Sequence, residues 1–159
     1  MNTCELVAAL IRRGETVATA ESLTAGLVCA TLADVPGASA AVRGGLIVYA
    51  TDLKADLAGV DRALLAEHGA VYPEVAAQLA EGARSRCGAD WGLGLTGVAG
   101  PDSQDGVMPG TVYVGLAGHM GLAGEMVREV RTLRFIGDRA AVRQAAVQAA
   151  FDLLGEHLS

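Results

Sequence analysis

Thr16-Val17-Ala18-Thr19-Ala20-Glu21-Ser22-Leu23-Thr24-Ala25-Gly26 is the stretch that decides the fold. Its first half carries the β-branched residues Thr16, Val17 and Thr19, which suit a strand. From Leu23 the apolar spacing changes, and Leu23, Leu27, Val28 and Leu32 fall on one face of a helix. Ser22 stands at the junction, where a helix presents unpaired N–H groups and the positive end of its dipole. Ala25 and Gly26 follow in the first turn and are small enough to let a ligand approach the backbone. Ser22 therefore has two readings. Serine is a favoured helix cap, and a hydroxyl beside several N–H donors is also a nucleophile beside an oxyanion site. The stretch alone leaves both open.

Working outward, Asn2 to Arg13 reads as a helix with Asn2 and Glu5 in the capping-box spacing and Gly14 as its stop. Val42 to Ala50 reads as a second strand whose Leu46-Ile47-Val48 run suits burial on both faces of a parallel sheet. Short helices are expected near Asp52–Leu57 and Asp61–Glu67, each with an Asp cap, and a longer one from Pro73 to about Cys87. Asp90–Thr96 reads as a third strand. Thr111–Ala117 and Glu125–Phe135 read as two more, antiparallel because the glycine-rich link at 118–124 is short. A last helix starts at the cap Asp138, with Val142, Ala146, Val147, Ala150, Leu153 and Leu154 as its buried stripe. The pattern predicts an α/β fold with about five strands in a mixed sheet and helices on both faces.

Composition narrows the function classes. The chain has 159 residues, enough for one domain, and a net charge of -6, which argues against a nucleic-acid surface. Cys4, Cys29 and Cys87 are odd in number and far apart, with no zinc-like spacing, and are expected to be reduced and packed as in a cytoplasmic protein. No leader and no bilayer-length apolar run is seen.

Side chains with chemistry gather at strand ends. In open α/β sheets ligands bind beyond the carboxyl ends of strands. Ser22 lies past the first strand, and Tyr49 and Lys54 past the second, so parallel neighbours would bring them together. Lys54 is either a solvated surface charge or a lysine in an apolar site, able to lose its proton and take that of Ser22. Tyr49 is an alternative relay or a packed ring. Gly92-Leu93-Gly94-Leu95-Thr96-Gly97 matches G-x-G-x-x-G formally, but its first two glycines sit inside a strand and no helix follows, so a dinucleotide site is rejected. What remains is a strand-end loop of Thr96, Gly97, Ala99 and Gly100, either an anion-binding nest or an ordinary turn. Arg139 at a helix N-terminus opposes the helix dipole, which is explained by Asp138 beside it or by a bound anion. Arg43 is a weaker anion candidate. His68, His119 and His157 do not cluster, and Asp102 and Asp105 read as a solvated loop rather than a cation site.

Taken in order, four segments resemble one family. Ala20 to Gly26 resembles the A-E-S-x-T-x-G motif of the CinA C-terminal domain family, which includes nicotinamide-nucleotide amidases. Tyr49 through Lys54 with Gly59-Val60, Gly94 through Pro101 followed by Pro109-Gly110-Thr111-Val112, and Gly137-Asp138-Arg139 match its other segments. The resemblance spans about residues 16–154 and implies one domain, 1–159, with a three-layer α/β/α fold on a mixed, mostly parallel five-stranded sheet. It also implies hydrolysis of nicotinamide mononucleotide to nicotinic acid mononucleotide and ammonia. On that resemblance Ser22 is the nucleophile, Lys54 its base and Tyr49 a relay. Thr24, Ala25 and Gly26 would hold the oxyanion, and Thr96, Gly97, Gly100 and Arg139 would shape the nucleotide site. No metal or cofactor is implied. The expected partner is a small-molecule nucleotide, without nucleic acid or membrane, and self-association is open. Thr51 and Tyr72-Pro73-Glu74 depart from the family pattern at positions expected near the pocket, which bears on substrate and activity. The chain has no room for the nucleotide pyrophosphatase domain that many members carry.

Overall fold

The computed structural model describes residues 1–120 and 124–159. The centre of the glycine-rich link, residues 121–123, lies outside the described residues. The elements run α1 (Thr3–Arg13), β1 (Val17–Glu21), α2 (Leu27–Ala33), β2 (Val42–Ile47), α3 (Thr51–Ala58), α4 (Arg62–His68), α5 (Pro73–Cys87), β3 (Trp91–Gly97), β4 (Thr111–Met120), β5 (Glu125–Arg134) and α6 (Arg139–Leu158). The strand order is β2-β1-β3-β4-β5. β1 pairs in parallel with β2 and β3, while β4 runs antiparallel to both of its neighbours. β5 therefore points the same way as β1, β2 and β3, and the sheet is mixed, with a single reversed strand.

Local chemistry sets most boundaries as expected. Asn2 Oδ1 accepts from the Glu5 N–H at 2.9 Å and Glu5 Oε2 accepts from the Asn2 N–H at 2.8 Å, a complete capping box on α1. Pro73 opens α5, where a missing N–H costs nothing. Asp138 caps α6 through the Ala141 N–H.

The two faces of the sheet are covered differently. Trp91, Leu93, Leu95, Val112, Val114 and Leu116 pack with α1, α2 and α6 in one apolar core. On the other face Gly92, Gly94 and Gly115 admit α5 at backbone distance. A Cβ at Gly94 would stand 2.3 Å from Ala76 O, and one at Gly92 2.0 Å from Ala80 O. The G-x-G run is thus a period-two strand with large residues toward one layer and none toward the other.

Three expectations are corrected. β2 is an edge strand with alternating burial and an exposed Ile47, not a strand buried on both faces. Asp52 does not cap α3, whose cap position is Ala50 without a side-chain bond, whereas Asp61 does cap α4 through the Ala63 N–H. Finally, α2 begins at Leu27 rather than Leu23. Ala25 (φ 49°) and Gly26 (φ 96°) are left-handed, and a right-handed helix cannot run through them.

No helix among the described residues is long and apolar enough to cross a membrane.

Candidate active site

The carboxyl ends of β1, β2 and β3 converge on one opening. Glu21 at the end of β1 is in register with Ile47 of β2 and Leu95 of β3. In this strand order the connection after β1 runs to β2 and the one after β3 runs the opposite way to β4, which opens a crevice between them. The crevice is a cavity of about 350 Å³ lined by Ser22, Leu23, Tyr49, Arg139 and the run from Gly97 to Gln104.

Ser22 reaches it because a turn separates β1 from α2. The Ser22 N–H continues the sheet to Leu95 O at 3.0 Å, and the Ala25 N–H closes the turn on Ser22 O at 3.0 Å. Ser22 is not the cap of α2. That task falls to Glu21, whose buried carboxylate accepts from the N–H groups of Val28 (2.8 Å) and Cys29 (3.0 Å) and from Thr19 Oγ1 (2.9 Å). A buried carboxylate at a helix N-terminus is held by charge-assisted bonds and by the dipole. The Ser22 hydroxyl is left with no hydrogen bond among the described residues. Burial, and then the Glu21 carboxylate, raise the Cys29 thiol pKa, so that thiol is kept neutral.

Lys54 is one of the largest fully buried side chains, at 1% exposure, and not a surface charge. Its Nζ donates to Val48 O at 2.8 Å and Tyr49 O at 3.1 Å, the residues that continue β2 past its last ladder position. An ammonium has three donors, so one N–H remains without a partner among the described residues. Burial pushes the Lys54 pKa down to about 8, with the nearby Asp52 carboxylate opposing part of the drop. Lys54 Nζ and Ser22 Oγ share no hydrogen bond, and Lys54 does not line the cavity.

Arg139 and Tyr49 meet at the rim. Arg139 Nη2 donates to Tyr49 Oη at 2.8 Å, and Nη1 donates to Gly100 O at 2.8 Å. One guanidinium thus ties the β2–α3 and β3–β4 connections together across the opening. Tyr49 is 57% exposed, so its ring is not core packing. Its hydroxyl accepts from Arg139 and keeps its own proton to donate.

The structure brings Ser22, Tyr49, Gly97, Gly100 and Arg139 together on the cavity, and Lys54 touches that lining through its bond to Tyr49 O. Four other expected site residues do not line it. Thr96 is buried with its hydroxyl donating to Ala70 O at 2.8 Å. Thr24 is fully buried, with Oγ1 lacking a partner among the described residues. Ala25 is exposed outside the cavity, with its N–H on Ser22 O, and Gly26 lies against Ile47. Thr51 and Tyr72-Pro73-Glu74 do not line it either. Tyr72 stacks on His68 at 4.0 Å between ring centroids, and Glu74 pairs with Arg128 of β5. Arg43 is taken by Cys87 O at 3.0 Å. No group of three metal-ligating side chains converges among the described residues.

Two residues escaped the sequence. Glu21 caps a helix that starts six positions later, which no local capping pattern signals. Arg143 of α6 donates from Nε to Leu23 O at 2.9 Å and from Nη2 to Thr24 O at 3.1 Å, about 120 residues along the chain. Its one visible signal is the i, i+4 spacing from Arg139.

Comparison with known proteins converges on one group. The model of a family described as CinA C-terminal domain matches residues 2–158. A CinA-like protein of Frankia casuarinae is 49% identical over 150 residues, which cover 94% of this chain and 33% of that protein. A CinA-like protein of Anaeromyxobacter dehalogenans is 45% identical over 150 residues, covering 94% of this chain and 35% of its own. The chain thus spans about a third of the length of the curated relatives it matches. A solved structure of a competence-damaged protein (CinA) superfamily member from Klebsiella pneumoniae is 33% identical with a TM-score of 0.87, over 99% of this chain and 98% of that one. A superfamily member from Enterobacter cloacae gives 28% identity and a TM-score of 0.88, over 100% and 94%.

Proposed function

Because the chain belongs to the CinA C-terminal domain family, we propose that it is an amidohydrolase that deamidates nicotinamide mononucleotide, with Ser22 as nucleophile and Lys54 as base. The observation that carries the reading is the unengaged Ser22 hydroxyl on the cavity. Ser22 lines the cavity with a hydroxyl that no group among the described residues engages, and a buried lysine with a lowered pKa stands on the connection that follows the neighbouring strand.

In this mechanism Ser22 Oγ attacks the carboxamide carbon while its proton passes to neutral Lys54. The amine then returns the proton to the leaving nitrogen, the C–N bond breaks and ammonia departs. Water hydrolyses the acyl-serine to the carboxylate and restores the hydroxyl. With a pKa of about 8, about a tenth of Lys54 is neutral at pH 7. Lys54 Nζ shares no hydrogen bond with Ser22 Oγ, so the side chain must swing toward Ser22 to make contact. The backbone N–H of Leu23, which lines the cavity and donates to no protein group among the described residues, supplies an oxyanion donor. At the rim, Arg139 and Tyr49 take the phosphate end of the nucleotide.

The missing Ser22–Lys54 hydrogen bond favours one second reading, a nucleotide-binding module in which Lys54 only staples the β2–α3 connection through two carbonyls. Ammonia release separates the two. The purified chain is incubated with nicotinamide mononucleotide, nicotinamide riboside and nicotinamide, and ammonia is measured. Release from the mononucleotide above the other two supports the proposal. Thermal stabilisation by the mononucleotide with no ammonia from any of them overturns it in favour of the binding module.

A further inference from the structure

Arg143 is a guanidinium without a carboxylate. Among the described residues it enters no ion pair, and its donors go instead to the consecutive carbonyls of Leu23 and Thr24. Each peptide unit is planar and trans, so its N–H points opposite to its C=O. Fixing Leu23 O toward α6 therefore turns the Thr24 N–H away from α6. Fixing Thr24 O does the same for the Ala25 N–H, which lands on Ser22 O at 3.0 Å and closes the turn. The turn also closes on itself, the Ala25 and Leu27 N–H groups donating to Ser22 O and Thr24 O at 3.0 Å, but no other side chain donates to its carbonyls among the described residues. Ala25 is left-handed without being glycine, Gly26 follows it in the same region, and the hydroxyl of Thr24 is buried without a partner. One fork from the second turn of α6 thus sets two peptide planes of the segment that carries Ser22, while Arg139, four residues earlier on the same helix, ties the rim.

Ser22 O shares its peptide plane with the N–H of Leu23, which lines the cavity. We infer that Arg143 is a positioning residue that orients the Ser22–Gly26 turn, and with it the Leu23 N–H, for stabilising the oxyanion. This rests on the amidohydrolase reading. An N–H donor aimed at developing charge contributes about 10²–10³ in kcat, because it acts in the transition state more than in the bound substrate. A fork that only fastened α6 to the sheet would affect stability and leave the chemical step alone.

The test compares wild type with Arg143→Gln and Arg143→Lys in ammonia release from the carboxamide substrate and in amide hydrogen exchange. Arg143→Gln is expected to lower kcat about a hundredfold with KM within about threefold, and to leave the pH midpoint unchanged because Lys54 is untouched. Arg143→Lys, with a point charge in place of a fork, recovers part of that loss. The Ala25 and Leu27 N–H groups, which close the turn on Ser22 O and Thr24 O, exchange at least about tenfold faster in Arg143→Gln while β1 exchange is unchanged. A kcat within threefold of wild type overturns the inference. If wild type hydrolyses no carboxamide, the amidohydrolase reading falls and this inference with it, an outcome distinct from an active wild type whose kcat survives Arg143→Gln.

Discussion

The floor and the rim of the cavity are built on opposite plans. The floor is the buried set around Ser22, which lines the cavity at 9% exposure; Glu21 and Lys54, which do not line it, are each about 1% exposed. Glu21 is saturated by three donors, Lys54 is tethered to two carbonyls, and Arg143 grips two more. At the rim, Tyr49, Arg139 and residues 101–104 are exposed, and one guanidinium ties them to each other rather than to the core. Buried, hydrogen-bonded groups hold their geometry, which chemistry needs. Exposed groups with spare donors can exchange a protein partner for a ligand, which recognition needs. On the proposed reading, the difference puts catalysis at the floor and binding at the rim.

The largest test of that division is Ser22→Ala. It is expected to lower kcat by roughly three orders of magnitude or more with little change in KM, measured as ammonia release. A variant that keeps more than a tenth of the rate removes the floor from the chemistry. Next comes Lys54→Met, with an expected loss of about 10²–10³. The active form is the neutral amine, so wild-type kcat/KM rises with pH and levels off above the folded pKa of about 8. In Lys54→Met the ascending limb disappears, and its persistence in the variant would assign that limb to another group.

The rim should respond in the other parameter. Arg139→Gln removes a charged donor from Gly100 O and Tyr49 Oη. An expected loss of one anchoring interaction is about tenfold in KM for the mononucleotide, with kcat within about threefold. Tyr49→Phe should move KM in the same direction by less. The comparison between floor and rim breaks if either rim variant lowers kcat as strongly as Lys54→Met, because Tyr49 would then be carrying protons rather than binding substrate.

What was legible in the sequence follows the same divide. Strand and helix positions came through wherever one local signal governs: the Asn2–Glu5 capping box, Pro73 at the start of α5, Asp138 before α6, and the apolar stripe of α6. The gathering of Ser22, Tyr49, Gly97, Gly100 and Arg139 was also legible, since each follows the carboxyl end of a strand or opens a helix beside one. The misreadings arose where a distant contact decides. Leu23 is buried and keeps the helical spacing, yet it belongs to a turn, because Glu21 caps α2 from the strand and Ala25-Gly26 are left-handed. Leu46-Ile47-Val48 has the composition of a central strand, but strand order leaves β2 at an edge. Thr96 sits in a motif suited to ligand binding, yet its hydroxyl turns to Ala70 in the connection between α4 and α5. Composition reports what a segment can bury, whereas the identity of its neighbour is a property of the whole chain.

The smallest expected effect concerns the cost of keeping a lysine at the floor at all. The unfolded amine has the ordinary lysine value of 10.5, and burial lowers it to about 8 in the folded chain. Between those values the unfolded state binds more protons than the folded one, so the Lys54 contribution to stability rises with pH. Below pH 8 both states are protonated and the folded chain carries a desolvated ammonium. Above 8 the folded amine sheds its proton and that penalty fades, until the unfolded amine titrates near 10.5. The stability of wild type minus that of Lys54→Met, taken from urea unfolding at each pH, should therefore grow by about 1 kcal/mol between pH 7 and 9, after allowance for partial solvent screening. Taking the difference cancels the titration of every group the two chains share. A flat difference across that range would mean that the ammonium feels no desolvation at the floor. Lys54 would then have no means of serving as a base near neutral pH, and the contrast with the solvent-facing rim would lose its chemical meaning.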